Sequence, residues 1–168
     1  MGGKTTESFS QIQLITQGAA IAAIYVVLTL VFAPISYGAV QVRVAEALTI
    51  LPMFTPAAIP GLFAGCLLAN FIGGAVIWDI IFGSIATLIG AILGWKLRRN
   101  RWLVPIPAIV SNTVIVPLVL FYAYGVNIPI PLLAVYIAVG EIIGCYVLGQ
   151  LLAEVLLRNR KYIFGRKD

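Results

Sequence analysis

From Ser8 to Val42 the chain runs for 35 residues without one charged side chain. A run of that length is far beyond the ~7–15-residue apolar core of a secretory leader. It suits a helix that stays in a bilayer, whose ~30 Å hydrocarbon core takes about 20 apolar residues to cross. The rest of the 168-residue chain is built alike, with 61% hydrophobic and only 10% charged residues and a mean hydropathy of +1.05. A soluble domain carries about a quarter charged residues to cover its watery surface. This composition excludes that class, and the apolar length leaves no room for a separate soluble domain.

Charge is almost confined to three places: Lys4 and Glu7, then Lys96, Arg98, Arg99 and Arg101, then Arg158, Arg160, Lys161, Arg166 and Lys167. Basic residues in short loops mark the cytoplasmic side of a membrane. They read as topology signals, and no nucleic-acid partner is implied. If all three clusters face the cytoplasm, the number of spans between any two is even. Residues 102–157 hold two spans, broken at Gly125 to Pro131, where prolines end helices; the 84 residues from Ile12 to Trp95 hold four. The expected architecture is an all-α integral membrane protein of six transmembrane helices with both termini cytoplasmic. The spans are 12–34, 44–54, 57–73, 76–96, 103–124 and 131–157, flanked by an N-terminal segment 1–11 and a basic tail 158–168.

The second span is short. Its 11 residues reach about 17 Å at ~1.5 Å per residue, and Pro52, Pro56 and Pro60 keep it from fusing with the third. Short or broken spans are tolerated where protein or a cavity covers the backbone, so this one points to a pocket. A tilted or re-entrant helix with no binding role is the plain alternative. Small residues are dense at Gly18, Ala19, Ala22 and Ala23, at Gly83, Gly90 and Gly94, and at Gly140, Gly144 and Gly149. Close backbone approach at such positions lets helices associate in lipid. Gly18/Ala22 and Ala19/Ala23 form overlapping small-xxx-small pairs that suit internal packing or docking of another membrane protein.

Arg43, Glu46, Asp79 and Glu141 fall within or at the edge of spans. Each costs ~2.5–3.5 kcal/mol at a helix centre even on the lenient insertion scale, so such groups normally face the bundle interior and serve a function. With the termini inside, Arg43, Glu46 and Asp79 fall in the outer third. Glu141 and Asn112 lie about 15 Å deep from the same side at helical rise. Together they outline a cavity opening outward. Arg43 and Glu46, at i and i+3, can pair on one helix face, which leaves Asp79 and Glu141 uncompensated. The expected guest is cationic or rich in hydrogen-bond donors. Tyr37, Trp78, Tyr122, Tyr124 and Tyr136, near the same outer ends, can stack on a flat ring or form an interfacial aromatic belt.

No catalytic machinery is visible. The chain has no histidine, no nucleophile motif and no phosphate-binding loop, and Cys66 and Cys145 read as small buried hydrophobes with no metal-ligand spacing. A lipid-modifying enzyme is thereby disfavoured, as is a secondary carrier built from two inverted repeats, for which the chain is small.

The segments QVRVAEALTILPMFTPAAIP (41–60), GLFAGCLLANFIGG (61–74) and WDIIFGSIATLIGAILGWKLR (78–98) resemble the QueT family, the queuosine-precursor substrate-binding (S) components of energy-coupling factor transporters. The resemblance runs from about Thr16 to Leu157. It implies a six-helix bundle in a bacterial cell membrane, with a substrate held near the outer face under the loop 35–42. It also implies a transmembrane coupling subunit that docks on Ala19 and Ala23 of the first helix, next to Gly18 and Ala22, and two partner ATPases. The chain itself then needs no cofactor, and ATP is consumed on those partners. The substrate class it implies is a deazaguanine such as the aminomethyl-deazaguanine precursor. For that ligand, Glu46, Asp79 or Glu141 would take the guanine edge and another of them the ammonium, with Asn112 or Asn70 on the carbonyl and Arg43, Trp78 and Tyr122 completing the candidate lining. An S component for another vitamin-like substrate, or a stand-alone proton- or cation-coupled carrier, stays open beside this reading.

Overall fold

A computed structural model describes residues 11–36 and 42–159. Most of the loop 35–42 expected above the pocket lies outside the described residues, as do Tyr37, the segment 1–10 and the basic tail from Arg160 onward. The elements are α1 (Gln11–Val31), the short α2 (Ala33–Ser36), a 3-10 segment (Val44–Met53), α3 (Ala58–Ile72), α4 (Ile77–Lys96), α5 (Ile106–Tyr122), α6 (Ile130–Glu141), a π segment (Ile142–Leu148) and α7 (Gly149–Arg158). No strand occurs among the described residues. Helices form over all six expected segments, with ends displaced by less than a turn. Proline sets several of the limits: Pro107 and Pro131 sit at the first positions of α5 and α6, where the missing N–H costs nothing. Pro117 lies inside α5, which continues through it.

Among the described residues three helices are long and apolar enough to cross a bilayer: Gln11–Val31, Ile77–Lys96 and the continuous run Ile130–Arg158. Val44–Met53, Ala58–Ile72 and Ile106–Tyr122 are shorter apolar helices. The distribution of polarity is that of a protein solvated by lipid. Ile12, Val31 and Phe71 are exposed while Glu46, Asn70 and Asp79 are buried, the inverse of a water-soluble surface.

The 3-10 segment is the axis of the bundle, packed on by α1, α3, α4, the π segment and α7. Every residue from Ala45 to Pro52 is buried, so its irregular backbone meets protein and no lipid, which is the condition for such a backbone at membrane depth. The expected α-helix is here a tighter one, and at ~2.0 Å rise per residue its 10 residues reach about 20 Å. The Thr49 hydroxyl donates to the Glu46 carbonyl three residues back, at 2.6 Å, a spacing that matches the 3-10 turn.

Around this axis α1 packs on α3, α3 on α4, α4 on α5 and α5 on α6. Glycine makes the seams close. A Cβ at Gly61 would sit 2.8 Å from the Gly18 carbonyl oxygen, one at Gly65 2.7 Å from Tyr25 Cβ, and one at Gly90 2.7 Å from Ala108 Cα. The α1 small-residue patch therefore divides. Gly18 and Ala22 are buried against α3, whereas Ala19 and Ala23 are exposed. At the end of the bundle where α4 and α7 finish, Arg101 and Arg158 both reach Glu154, at 3.0 and 3.4 Å.

Candidate functional site

Two irregular stretches of helix meet at the centre of the bundle, and each carries a buried carboxyl group. With 3.0 residues per turn, a 3-10 helix stacks positions i and i+3, which aligns Glu46 with Thr49 and with Arg43 just before the first turn. Opposite, Glu141 ends α6 and Cys145 lies in the π segment that follows. The contact is close because Gly144 has no side chain: a Cβ there would sit 2.8 Å from the Arg43 carbonyl oxygen and 3.3 Å from Glu46 Cβ.

Glu46 accepts a hydrogen bond from the Tyr25 hydroxyl at 2.6 Å, and the Cys145 thiol bridges to Glu141 Oε2 at 3.0 Å and to Glu46 Oε2 at 3.8 Å. Asn112, on α5, lies beside Glu141. The guanidinium of Arg43 has Tyr25, Cys66, Asp79 and Glu46 as polar neighbours, and its Nε donates to the Ser36 carbonyl at 3.4 Å. Arg43 thus stands between the Glu46–Glu141 pair and a second acidic position, Asp79. There the Tyr124 hydroxyl donates to Asp79 Oδ2 at 3.0 Å, and Asn70 Nδ2 donates to the Asp79 backbone carbonyl at 3.4 Å. Among the described residues three carboxyl groups, Glu46, Asp79 and Glu141, are thus buried within electrostatic reach of one guanidinium. Glu46, Glu141 and Cys145 also offer ligand atoms within 4.8 Å of one another, close enough to share one cation.

The structure brings together Arg43, Glu46, Asn70, Asp79, Asn112 and Glu141, each buried. It does not bring Trp78 and Tyr122 to them. These two side chains are 54% and 75% exposed and line an apolar groove of about 620 Å³ between α4 and α5, with Phe82, Ile85 and Leu118. Trp78 stacks on Phe82 there. The reason is helical phase: Asp79 points into the bundle, so its neighbour Trp78 points about 100° away. Tyr124, two residues beyond Tyr122 and past the end of α5, is the aromatic that reaches Asp79.

Two participants escape the sequence reading. Cys145, read as a hydrophobic filler, is a thiol donor between two carboxyls. Tyr25 lies in the body of α1, away from the helix ends where interfacial tyrosines collect; that position was the available signal. Its ring is buried and packed on Gly65.

A helical bundle with a lipid-compatible exterior and an acidic, hydrogen-bonded interior has the build of a membrane protein that handles a polar solute. A family profile described as QueT transporter matches residues 15–158, and the chain belongs to the QueT transporter family. It is 37% identical over 78 residues to the Queuosine precursor transporter QueT of Lactococcus lactis subsp. cremoris (strain MG1363). That stretch spans 45% of this chain and 46% of the relative, so the chain is matched over about half of the relative's length. No solved structure matches the chain.

Proposed function

We propose that this protein is the membrane-embedded substrate-binding subunit of an energy-coupling factor type importer for a queuosine precursor, a deazaguanine bearing a primary amine. The observation that carries the reading is the trio of buried carboxyl groups around Arg43, inside a member of the QueT transporter family. Such a surplus of acid in a membrane interior calls for a positively charged or donor-rich guest. A protonated amine and the N–H edge of a guanine-type ring supply both. In this reading all six helical segments cross the bacterial cell membrane and both termini face the cytoplasm. The three shorter segments cross as part of the packed bundle.

The exposed Ala19 and Ala23 face is the docking surface for a transmembrane coupling subunit. Its residues are small and exposed, and the adjoining Gly18 and Ala22 already hold α1 on α3, so docking leaves the fold intact. ATP hydrolysis resides on two partner ATPase subunits, and this chain binds without catalysis or a cofactor of its own.

Calorimetric titration of the purified protein with aminomethyl-deazaguanine tests the reading, repeated on Glu46→Gln, Asp79→Asn and Glu141→Gln. The parent is expected to bind, and each amide to weaken binding by about 10-fold or more, the cost of removing one charged hydrogen-bond partner. Amide variants that all bind like the parent would place the pocket elsewhere.

A further inference from the structure

The acidic interior is not uniform in what its acceptors lack. Glu46 Oε1 accepts from the Tyr25 hydroxyl, and its Oε2 has the Cys145 thiol at 3.8 Å, which it shares with Glu141. Asp79 is different. Its Oδ2 is bonded by Tyr124, but its Oδ1 is buried with no donor among the described residues, and the same holds for Asn70 Oδ1. The two residues are 2% and 1% exposed. Native structures seldom leave buried acceptors unmet, and each such group calls for an explanation.

Asn70 is fixed in orientation. Its Nδ2 donates to the Asp79 backbone carbonyl at 3.4 Å and approaches Cys66 Sγ at 3.7 Å, so the amide presents its oxygen as a free acceptor. The chain beyond is tied down as well, by the Ala75 N–H on the Asn70 carbonyl at 2.9 Å and the Val76 N–H on Tyr124 Oη at 3.3 Å. Beside the pair, α4 carries Gly83. A Cβ at that position would lie 3.2 Å from Asp79 Oδ1 and 3.3 Å from Asn70 Nδ2, tighter than side chains normally pack. A larger residue at 83 would therefore crowd Asp79 Oδ1 and the Asn70 amide group.

We propose that Asn70 and Asp79 form an acceptor subsite that reads two adjacent N–H donors on a flat ring, while the Glu46–Glu141 pair receives the ammonium. The assignment rests on the substrate class proposed above and divides the labour within it. Two unmet acceptors select a ring edge with a ring N–H beside an exocyclic amine, as on a guanine-type base. A hypoxanthine-type edge offers one donor fewer. Asn70 accepts here, so it does not read a carbonyl.

The test compares aminomethyl-deazaguanine with its analogue lacking the exocyclic 2-amino group, by calorimetric titration of the intact protein in detergent. The parent is expected to bind the analogue about 10- to 100-fold more weakly, as one buried acceptor is then left unmet. In Asp79→Asn the gap between the two probes should shrink to within about threefold. Gly83→Ala should weaken the amino probe more than the analogue. Equal binding of both probes by the parent overturns the subsite while leaving the substrate class standing; failure of both to bind sinks the two together. The parent's comparison decides even if a variant does not fold, because it needs no substitution.

Discussion

Along the seam between α1 and α3, Gly61 lets the backbones approach until a Cβ would sit 2.8 Å from the Gly18 carbonyl oxygen; where the 3-10 and π segments meet, Gly144 does the same against the Arg43 carbonyl, also at 2.8 Å. The local device is shared, yet the first seam joins two regular helices through apolar faces. The second joins two irregular segments and leaves Glu46, Cys145 and Glu141 facing one another. Close approach supplies the contact in both. The altered helical pitch supplies the direction in which side chains point, and that is what turns a packing seam into a site.

The comparison breaks most visibly with Gly61→Val against Gly144→Ala. Valine at 61 drives a branched side chain into backbone that cannot rotate away, so overpacking of at least ~1–3 kcal/mol is expected. The prediction is loss of monodisperse protein in detergent, or a large fall in thermal midpoint. Gly144→Ala pushes the Arg43–Glu46 turn away from the π segment. It is expected to lose ligand affinity out of proportion to its fall in midpoint. Equal loss of stability and affinity in both variants would mean the seams do not differ in use.

Tyr25 belongs to both seams, its Cβ against the Gly65 position and its hydroxyl 2.6 Å from Glu46. Tyr25→Phe keeps the ring and removes the donor. An orphaned buried acceptor costs about 1–3 kcal/mol, so the thermal midpoint of the ligand-free protein should fall. The Gly61 seam, which the hydroxyl does not touch, should stay closed. Crosslinking of paired cysteines placed across α1 and α3 reads the seam directly; an unchanged midpoint would show that the Tyr25–Glu46 hydrogen bond does not stabilise the bundle.

These seams were not equally legible in the sequence. The small residues at Gly18 and Ala22 and the prolines at 52, 56, 60 and 131 act locally, so helix positions and a packing face could be read from spacing alone. Charge in an apolar stretch likewise marked Arg43, Glu46, Asp79 and Glu141 as interior groups. What spacing could not show was pitch. A 3-10 run of 10 residues is held by burial on every side, a tertiary effect with no local signature, and the π segment after Glu141 is of the same kind. Without those pitches the register of Cys145 against two carboxyls, and of Tyr25 against Glu46, cannot be inferred. The aromatic residues failed for a related reason. Interfacial and ligand-stacking tyrosines and tryptophans have the same sequence context, and helical phase separates them only once the inward residue is known.

Trp78→Ala is the mildest of these changes and the sharpest on that last point. Its indole is 54% exposed, stacked on Phe82 in the groove between α4 and α5, and one residue from Asp79. If the site is the buried acidic interior alone, truncating an outward side chain should alter affinity by no more than about twofold, the ±0.5 kcal/mol scale of a surface substitution. A loss of about 10-fold or more in the same titration would mean that the ligand reaches the groove. The separation between an apolar exterior and an acid-lined interior would then no longer describe where binding takes place.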